Sequence, residues 1–445
     1  MRSANPSITP ARSLTNPAAN VTMTQRLLLG AATFLSVFGP KIGGWWSAYG
    51  DIISYVCLAL AIYGLAVRPI YPLIVRTSRA PALILGILVT YAVLVVLVTS
   101  MTTIEVDYFY VLKYGRTLLN YLGMLALCGL YRRYYGDDFA NAILRHLFAA
   151  AAIHGTVMIT EYVNAPFRRA IYRLIGLRAG GQHVYRVTGL TISFGVLSVS
   201  QGFGLMAAPY IARMYRGPLM SVAFFSGVML VIGSLFLAGR MGFYLITSIT
   251  VFLLLFSFRT FILRAHTLVG AALGYATILA VLSIASPDTM RRFTEGTFHN
   301  LIEPFRSYEE TGQLRSRSTD QILQGFFLPD EDIVFFFGSS ITGRGEGKTY
   351  IHSDVGYVLN IYGVGILGLG IMLMFYAYVI NTCRKLRHFH SPTAILLLLS
   401  TVIILLYNFK EQSLLTRHAF SVTALLLSTY FFHEKPSGDH WRTPR

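Results

Sequence analysis

The sequence predicts an all-α, polytopic integral membrane protein with about twelve transmembrane helices and a large external loop between helices 9 and 10. Three observations carry that prediction. First, 54% of the 445 residues are hydrophobic and only 13% are charged, with a mean hydropathy of +0.56. A soluble domain carries roughly a quarter charged residues, so a soluble enzyme, a disordered chain and a coiled coil are excluded. Second, apolar runs of the length that spans a bilayer recur along the whole chain. Third, the few charges are one-sided: 37 Lys and Arg face 20 Asp and Glu, a formal net charge of +17. Charge is costly in lipid, so an excess this large must lie at the surfaces or in a site.

Residues 1–23 are polar, rich in Ser, Asn and Pro, and read as a cytoplasmic tail rather than a cleavable signal, because no small-residue cleavage site closes the first apolar run. The expected spans are 24–40, 51–67, 81–100, 115–131, 140–161, 189–212, 218–238, 241–257, 266–286, 355–380, 392–408 and 414–432. In hydrocarbon only a helix satisfies its own backbone groups, which is why each run is read as helical. The run 218–258 is too long for one helix and is interrupted at Ala238-Gly239-Arg240, so a tight hairpin is expected there with Arg240 at its tip. If the N-terminus is cytoplasmic, the short cytoplasmic loops 68–80, 132–138, 213–217, 258–265 and 381–391 hold twelve Lys and Arg. The short opposite loops 41–50, 101–114, 239–240 and 409–417 hold five. The positive-inside bias therefore puts both termini in the cytoplasm, including the tail 433–445. Two long external segments break the bias, residues 162–188 and 287–354, and long loops cross regardless of charge.

The three cysteines, Cys57, Cys128 and Cys383, lie in or beside apolar runs, which gives no disulfide framework and no thiolate metal site. No cluster suggests a bound metal, a cofactor or a nucleic-acid module. Glu105 and Asp107 are ordinary loop carboxylates, and Trp45, Trp46 and the Tyr108–Tyr110 group fit an interfacial belt.

Four stretches carry chemistry-bearing residues. Residues 162–188 hold Arg168, Arg169, Arg173, Arg178 and Arg186. Arg169 and Arg173 with Ile171, Leu174, Ile175 and Leu177 have helical spacing, which predicts an amphipathic surface helix. Arginine binds phosphate oxygens in pairs and keeps its charge, so a diphosphate or an anionic sugar suits this stretch; contact with anionic membrane lipids suits it equally. Arg240, in a turn of almost no length, is either a functional charge at head-group depth or a snorkelling side chain. Residues 338–368 contain GRGEGKT, which is not a phosphate loop because Thr342 stands where the pattern needs glycine. This segment instead delivers His352, Ser353 and Asp354 to a helix start, beside Arg344 and Lys348. Asp354 or Ser353 can cap that helix, and His352 can serve as a general base near neutral pH. Finally, Asn408–Ser413 places Lys410 and Glu411 between two apolar helices, with Arg417 and His418 just beyond, as a site or as a helix-pairing ion pair.

Four segments in or beside these stretches, YRVTGL at 185–190, LAGRMG at 237–242, FFFGSSITGRGEGKTYIHSDVGYVLNIYGVGILG at 335–368 and NFKEQSLLTR at 408–417, resemble the bacterial O-antigen and exopolysaccharide polymerase family. Arg173 and Arg178, sixteen and eleven residues before Gly189, are similar to the Arg-X-Gly spacings of some members, although the large loop has no such pair. The related O-antigen ligases often carry Arg-X3-Leu in the large loop, and 287–354 has none. The resemblance implies a nucleotide- and metal-independent glycosyltransferase at the outer face of the inner membrane. A glycan on undecaprenyl diphosphate passes to the sugar hydroxyl of a second lipid-linked unit. It implies Arg186, Arg240 and Arg344, with Arg173, Lys410 and Arg417, at the diphosphate, and His352 with Asp354 as base and orienter. A chain-length regulator is the implied partner. The alternatives are an O-antigen ligase, a lipid-linked oligosaccharide flippase or secondary transporter, and a membrane scaffold.

Overall fold

A computed structural model describes residues 21–42, 50–66, 78–102, 108–177, 187–191, 194–215, 217–239, 242, 244–246, 248–249, 291, 293–313, 317–340, 351 and 353–433. Among them the fold is helical, and the only ladder contact is a single antiparallel bridge between Lys41 and Asp51. The helices are α1 (Met23–Phe38), α2 (Ile52–Ala66), α3 (Arg79–Thr102), α4 (Phe109–Tyr135), α5 (Phe139–Val163), α6 (Ala165–Ile175), α7 (Phe194–Ile211) and α8 (Pro218–Ala238). They continue with α9 (His299–Thr311), α10 (Arg317–Gln324), α11 (Asp332–Phe337), α12 (Gly356–Leu386), α13 (Ser391–Tyr407) and α14 (Arg417–His433).

Helices occupy ten of the twelve expected intervals. The expected spans 241–257 and 266–286 fall outside the described residues except for a few positions between 242 and 249, which are helical. Four described stretches are long and apolar enough to cross a membrane: Arg79–Met101, Tyr110–Val163, Pro218–Ala238 and Gly356–Leu386. The second comprises α4 and α5, joined through a 3-10 turn at Gly136–Asp138. Two boundaries differ from expectation. The sixth interval begins not as helix but as a turn at Thr188–Leu190, and helix resumes at Phe194. The last interval begins with the turn Ser413–Thr416. The large loop is not featureless: a π-helical turn (Phe293–Phe298), α9, α10 and α11 lie within it.

Helix α4 packs on α2, α3 and α14, and α5 packs on α1, α7 and α8, so consecutive helices anchor two halves of one bundle. Small residues set the closest crossings. A Cβ at Gly123 of α4 would stand 2.6 Å from the Cys57 backbone of α2, so only glycine lets these helices approach. Helix α14 is the most enclosed: His418 to Phe432 are all buried. Its hydroxyls need no outside partner, because Ser421, Thr423 and Ser428 return bonds to carbonyls four residues back. At the other extreme, α3 exposes Leu83, Ile87, Leu94, Leu97, Val98 and Met101, an apolar stripe that water would not favour.

Helix α12 is interrupted. Gly365 sits at φ 66°, ψ 178°, a conformation closed to residues with a Cβ. The carbonyls freed by the break are taken up by the segment after α11: Ser339 and Ser340 donate their N–H groups to Tyr362 and Gly363 at 2.8 and 3.0 Å. The Ser339 hydroxyl adds a bond to Tyr362. Gly338 allows this contact, since a Cβ there would meet Gly363, Val364 and Gly365 backbone at 2.6 Å.

Candidate functional site

Described polar side chains lie at both ends of the bundle. At one, Arg145–Asp138, Asn141–His390 and Tyr131–His146 join the end of α4 to the starts of α5 and α13. At the other, α1, α3, α5 and α13 finish and α2, α4, α7, α12 and α14 begin. Two hydrogen-bonded networks lie there. The first runs between α1, α2 and α14. Arg417 pairs with Asp51 at 2.8 Å, and both side chains are largely withdrawn from solvent. Ser54 donates a second bond to Asp51, which fixes the carboxylate. Arg417 Nε donates to His418 Nε2 at 3.1 Å, so His418 carries its proton on Nδ1 and donates to the Val37 carbonyl at 2.6 Å. Lys41 is buried nearby. Burial, and then the charges of Arg417 and Arg116, push its ammonium down to about 8.

The second network is built on α5. Glu161 accepts from the backbone N–H groups of Gly189 and Thr188 at 2.8 and 3.4 Å. Tyr172 of α6 also bonds to this carboxylate, and its hydroxyl is held above its ordinary range by burial and by the Glu161 charge. Two turns deeper, His154 Nε2 accepts from Leu190 N–H at 3.1 Å, and its other nitrogen faces Gln201 of α7 at 3.3 Å. Gln201 in turn donates to Ser234 of α8 and to the Ala151 carbonyl. The turn Thr188–Leu190 is thus bolted to α5 by three backbone donors. Gly189 is required for it: its φ is +58°, and a Cβ would run into the His154 ring. The two networks meet at the end of α1, where Phe38 stacks on His154 with ring centres 4.5 Å apart and the neighbouring Val37 accepts from His418.

The four stretches singled out in the sequence come together around these networks. Val187 donates to the Leu237 carbonyl, so the chain leaving Arg186 meets the chain approaching Arg240. Gly195, at the start of α7, lies so close to Tyr407 and Glu411 that a Cβ would overlap the carboxylate. The turn after α13 packs in its turn on the start of α12: Tyr357 N–H donates to Asn408, and Gln412 bridges Asn360 and Tyr110 at 2.9 and 3.1 Å. Asn408 shapes that turn by accepting from the N–H groups of Ser413 and Leu414.

The individual expectations fare differently. Arg186, Arg240, Arg344 and His352 lie outside the described residues, as do Arg178 and Lys348. Beside the expected hairpin, Gly239 takes φ +109° and Gly242 donates back to the Gly239 carbonyl; the tip itself lies outside the described residues. The amphipathic helix is α6, capped by the Asn164 side chain and closed by left-handed Gly176. Ile171, Tyr172 and Ile175 form its buried face, but Leu174 is exposed rather than packed. Arg168 is buried and spans the carbonyls of Glu161 and Tyr162, a cap on α5 rather than a ligand group. Arg173 is exposed in the last turn of α6, next in sequence to Tyr172 of the second network. Arg417 is committed to Asp51. Lys410 is half-buried in the turn with Glu411. Asp354 is exposed and caps nothing: Ser353 instead accepts from Val355 N–H and donates to the Gly325 carbonyl.

Sequence reasoning did not single out Asp51, His154, Glu161 or Gln201. The signal was present for the first three, since an ionisable side chain inside an apolar span is rarely idle. Among the described residues no group of three or more His, Cys, Asp or Glu is placed to hold a metal ion, and the cysteines are buried and unpaired. The chain matches no protein-family model, no curated protein and no solved structure.

Proposed function

We propose that this protein is a polysaccharide polymerase of the outer face of a bacterial inner membrane. It would transfer a growing glycan from undecaprenyl diphosphate to the sugar hydroxyl of a second lipid-linked repeat unit. The supporting observation is convergence at one end of the bundle: Val187–Leu237 joins 185–190 to 237–242, Tyr357–Asn408 joins 335–368 to 408–417, and Gly195, five residues after the first stretch, packs against Glu411 of the last.

On this reading Arg186, Arg240 and Arg344 stabilise the leaving diphosphate, with Arg173 and Lys410 as outer contributors. Preorganised positive groups act most strongly where charge develops and water is excluded, and losing one costs roughly 100-fold or more in rate. His352 takes the proton of the acceptor hydroxyl. Glu161 and His154 act through the backbone, fixing the turn that follows Arg186. Arg417 leaves the ligand set and becomes part of the scaffold, because its charge is already matched by Asp51. The activated donor supplies its own leaving group, so the reading calls for no nucleotide, metal or cofactor. Both termini and the positive loops are cytoplasmic, and a chain-length regulator is the proposed partner.

An interrupted helix such as α12 also occurs in transporters, where broken backbone coordinates the cargo. Here the freed carbonyls of Tyr362 and Gly363 are filled by Ser339 and Ser340 of the same chain, which makes the break a docking point rather than an open site. A deletion strain separates the readings. Loss of a polymerase leaves glycans capped with one repeat unit. Loss of a ligase leaves full-length polymer on the lipid carrier, and loss of a flippase traps units inside; either result overturns the proposal.

A further inference from the structure

Helix α11 and the residues on either side of it lie in the long segment expected to be external and aqueous, yet their surface is apolar. Ile333 is 71% exposed, Phe336 47% and Phe337 52%, and Phe326 and Leu328 just before them are also exposed. Packing places these residues beside apolar helices rather than above them. The Phe337 carbonyl accepts from the Tyr91 hydroxyl at 3.1 Å. Tyr91 is at the middle of α3, twelve residues from Arg79 and eleven from Thr102, about 16 Å from the nearer end at 1.5 Å per residue. The backbone of Phe336 and Phe337 abuts Gly365, nine residues into α12 and so about 14 Å from its start. Both measures put the end of α11 well inside a hydrocarbon layer of about 30 Å. The backbone there is compatible with that depth. Gly338 N–H returns to Val334, and Ser339 and Ser340 are paired to the broken part of α12, which is the condition for non-helical chain in a membrane.

From this we infer that residues 326–340 form a re-entrant segment, and that the exposed face Ile333–Phe336–Phe337 is covered by the acyl chains of external-leaflet lipids. The occupant follows from continuity. Helix α3, which holds this segment through Tyr91, turns an apolar stripe from Leu83 to Met101 outward, and α12 exposes Leu367 and Met374 beyond the break. The three elements pack on one another, α11 on α12, α12 on α3, and α3 on Phe337 through Tyr91. The acidic run Asp330-Glu331-Asp332 at the start of α11 is exposed, and it marks the point where the chain returns towards water. The inference goes beyond the proposed activity and does not depend on it.

Nitroxide labels test it in the full-length protein reconstituted in phosphatidylcholine–phosphatidylglycerol vesicles. Ile333→Cys and Phe336→Cys are labelled singly, with Glu309→Cys on exposed α9 as the aqueous reference. The native cysteines are buried, so unsubstituted protein labelled in parallel gives the background, and replacing all three with Ala gives a second version should that background be high. Collision with dissolved oxygen should exceed collision with a water-soluble nickel chelate at 333 and 336 by several-fold, with the reverse at 309. Nickel access at 336 equal to that at 309 would overturn the inference, because the face would be in water. Weak collision with both reagents would also overturn it, because protein would then cover the face. Oxygen access that falls in proportion to added undecaprenyl diphosphate would replace bulk lipid with a substrate tail as the occupant.

Discussion

Three side chains, Asp51, Arg417 and Lys41, define what can be measured residue by residue. Arg417 and Asp51 form a pair in which each is the main charge partner of the other, with Ser54 completing the carboxylate. Removing one partner of a buried pair strands the other charge, at a cost of about 3–5 kcal/mol. Asp51→Asn should therefore lower the melting temperature of the purified protein sharply. Adding Arg417→Met to it should cost less than the two single changes combined. Strict additivity would mean that Arg417 is held by something other than Asp51. Lys41 gives a pH signature. Its folded-state value of about 8 lies below the 10.5 of a free lysine, so the unfolded chain binds more protons between those values and stability rises with pH across that window. Below about pH 8 the penalty for burying the charge is fully present. The melting temperature of the protein should climb relative to Lys41→Met between pH 7 and pH 10, and a constant gap would contradict the assignment.

At the scale of elements, the apolar runs were legible because the bilayer demands length and little else: α1 to α5, α8, α12 and α13 lie where hydropathy places them. Amphipathic spacing likewise exposed α6, apart from Leu174. What hydropathy cannot see is a helix that breaks in place or a loop that folds back in. The break at Gly365 depends on Ser339 and Ser340 arriving from 25 residues earlier in the chain, and glycine is common enough in membrane helices that one more carried no signal. The same limit hid the anchoring of Thr188–Leu190, which rests on His154 and Glu161 some 30 residues upstream. The break is testable. Gly365→Ala forces a Cβ into a glycine-only conformation, at about 1–3 kcal/mol, and drives it against the Phe336 carbonyl. It should release α11 from α12, seen as faster proteolysis between residues 326 and 340 at unchanged overall helicity. Unchanged proteolysis would mean that α12 does not depend on glycine there.

For the whole molecule, the net charge of +17 divides between two roles. On the proposed topology, part of it lies in short cytoplasmic loops, where it would orient the chain, and part in the two long external segments. On this account a topology reporter fused at residue 320 is active only outside the cytoplasm and one at residue 75 only inside; the opposite pair of results would invert the bundle. The central claim is that the end of the bundle holding the two networks makes a glycosidic bond, and its most direct test is single-step transfer by purified protein in vesicles. The substrate is a lipid-linked repeat unit, with no nucleotide or metal added. The account predicts a lipid-linked dimer of units with stoichiometric release of undecaprenyl diphosphate, and a rate lowered at least about 100-fold in Arg240→Ala. Movement of intact units across the vesicle with no diphosphate released, or full activity in both Arg240→Ala and His352→Ala, would contradict it.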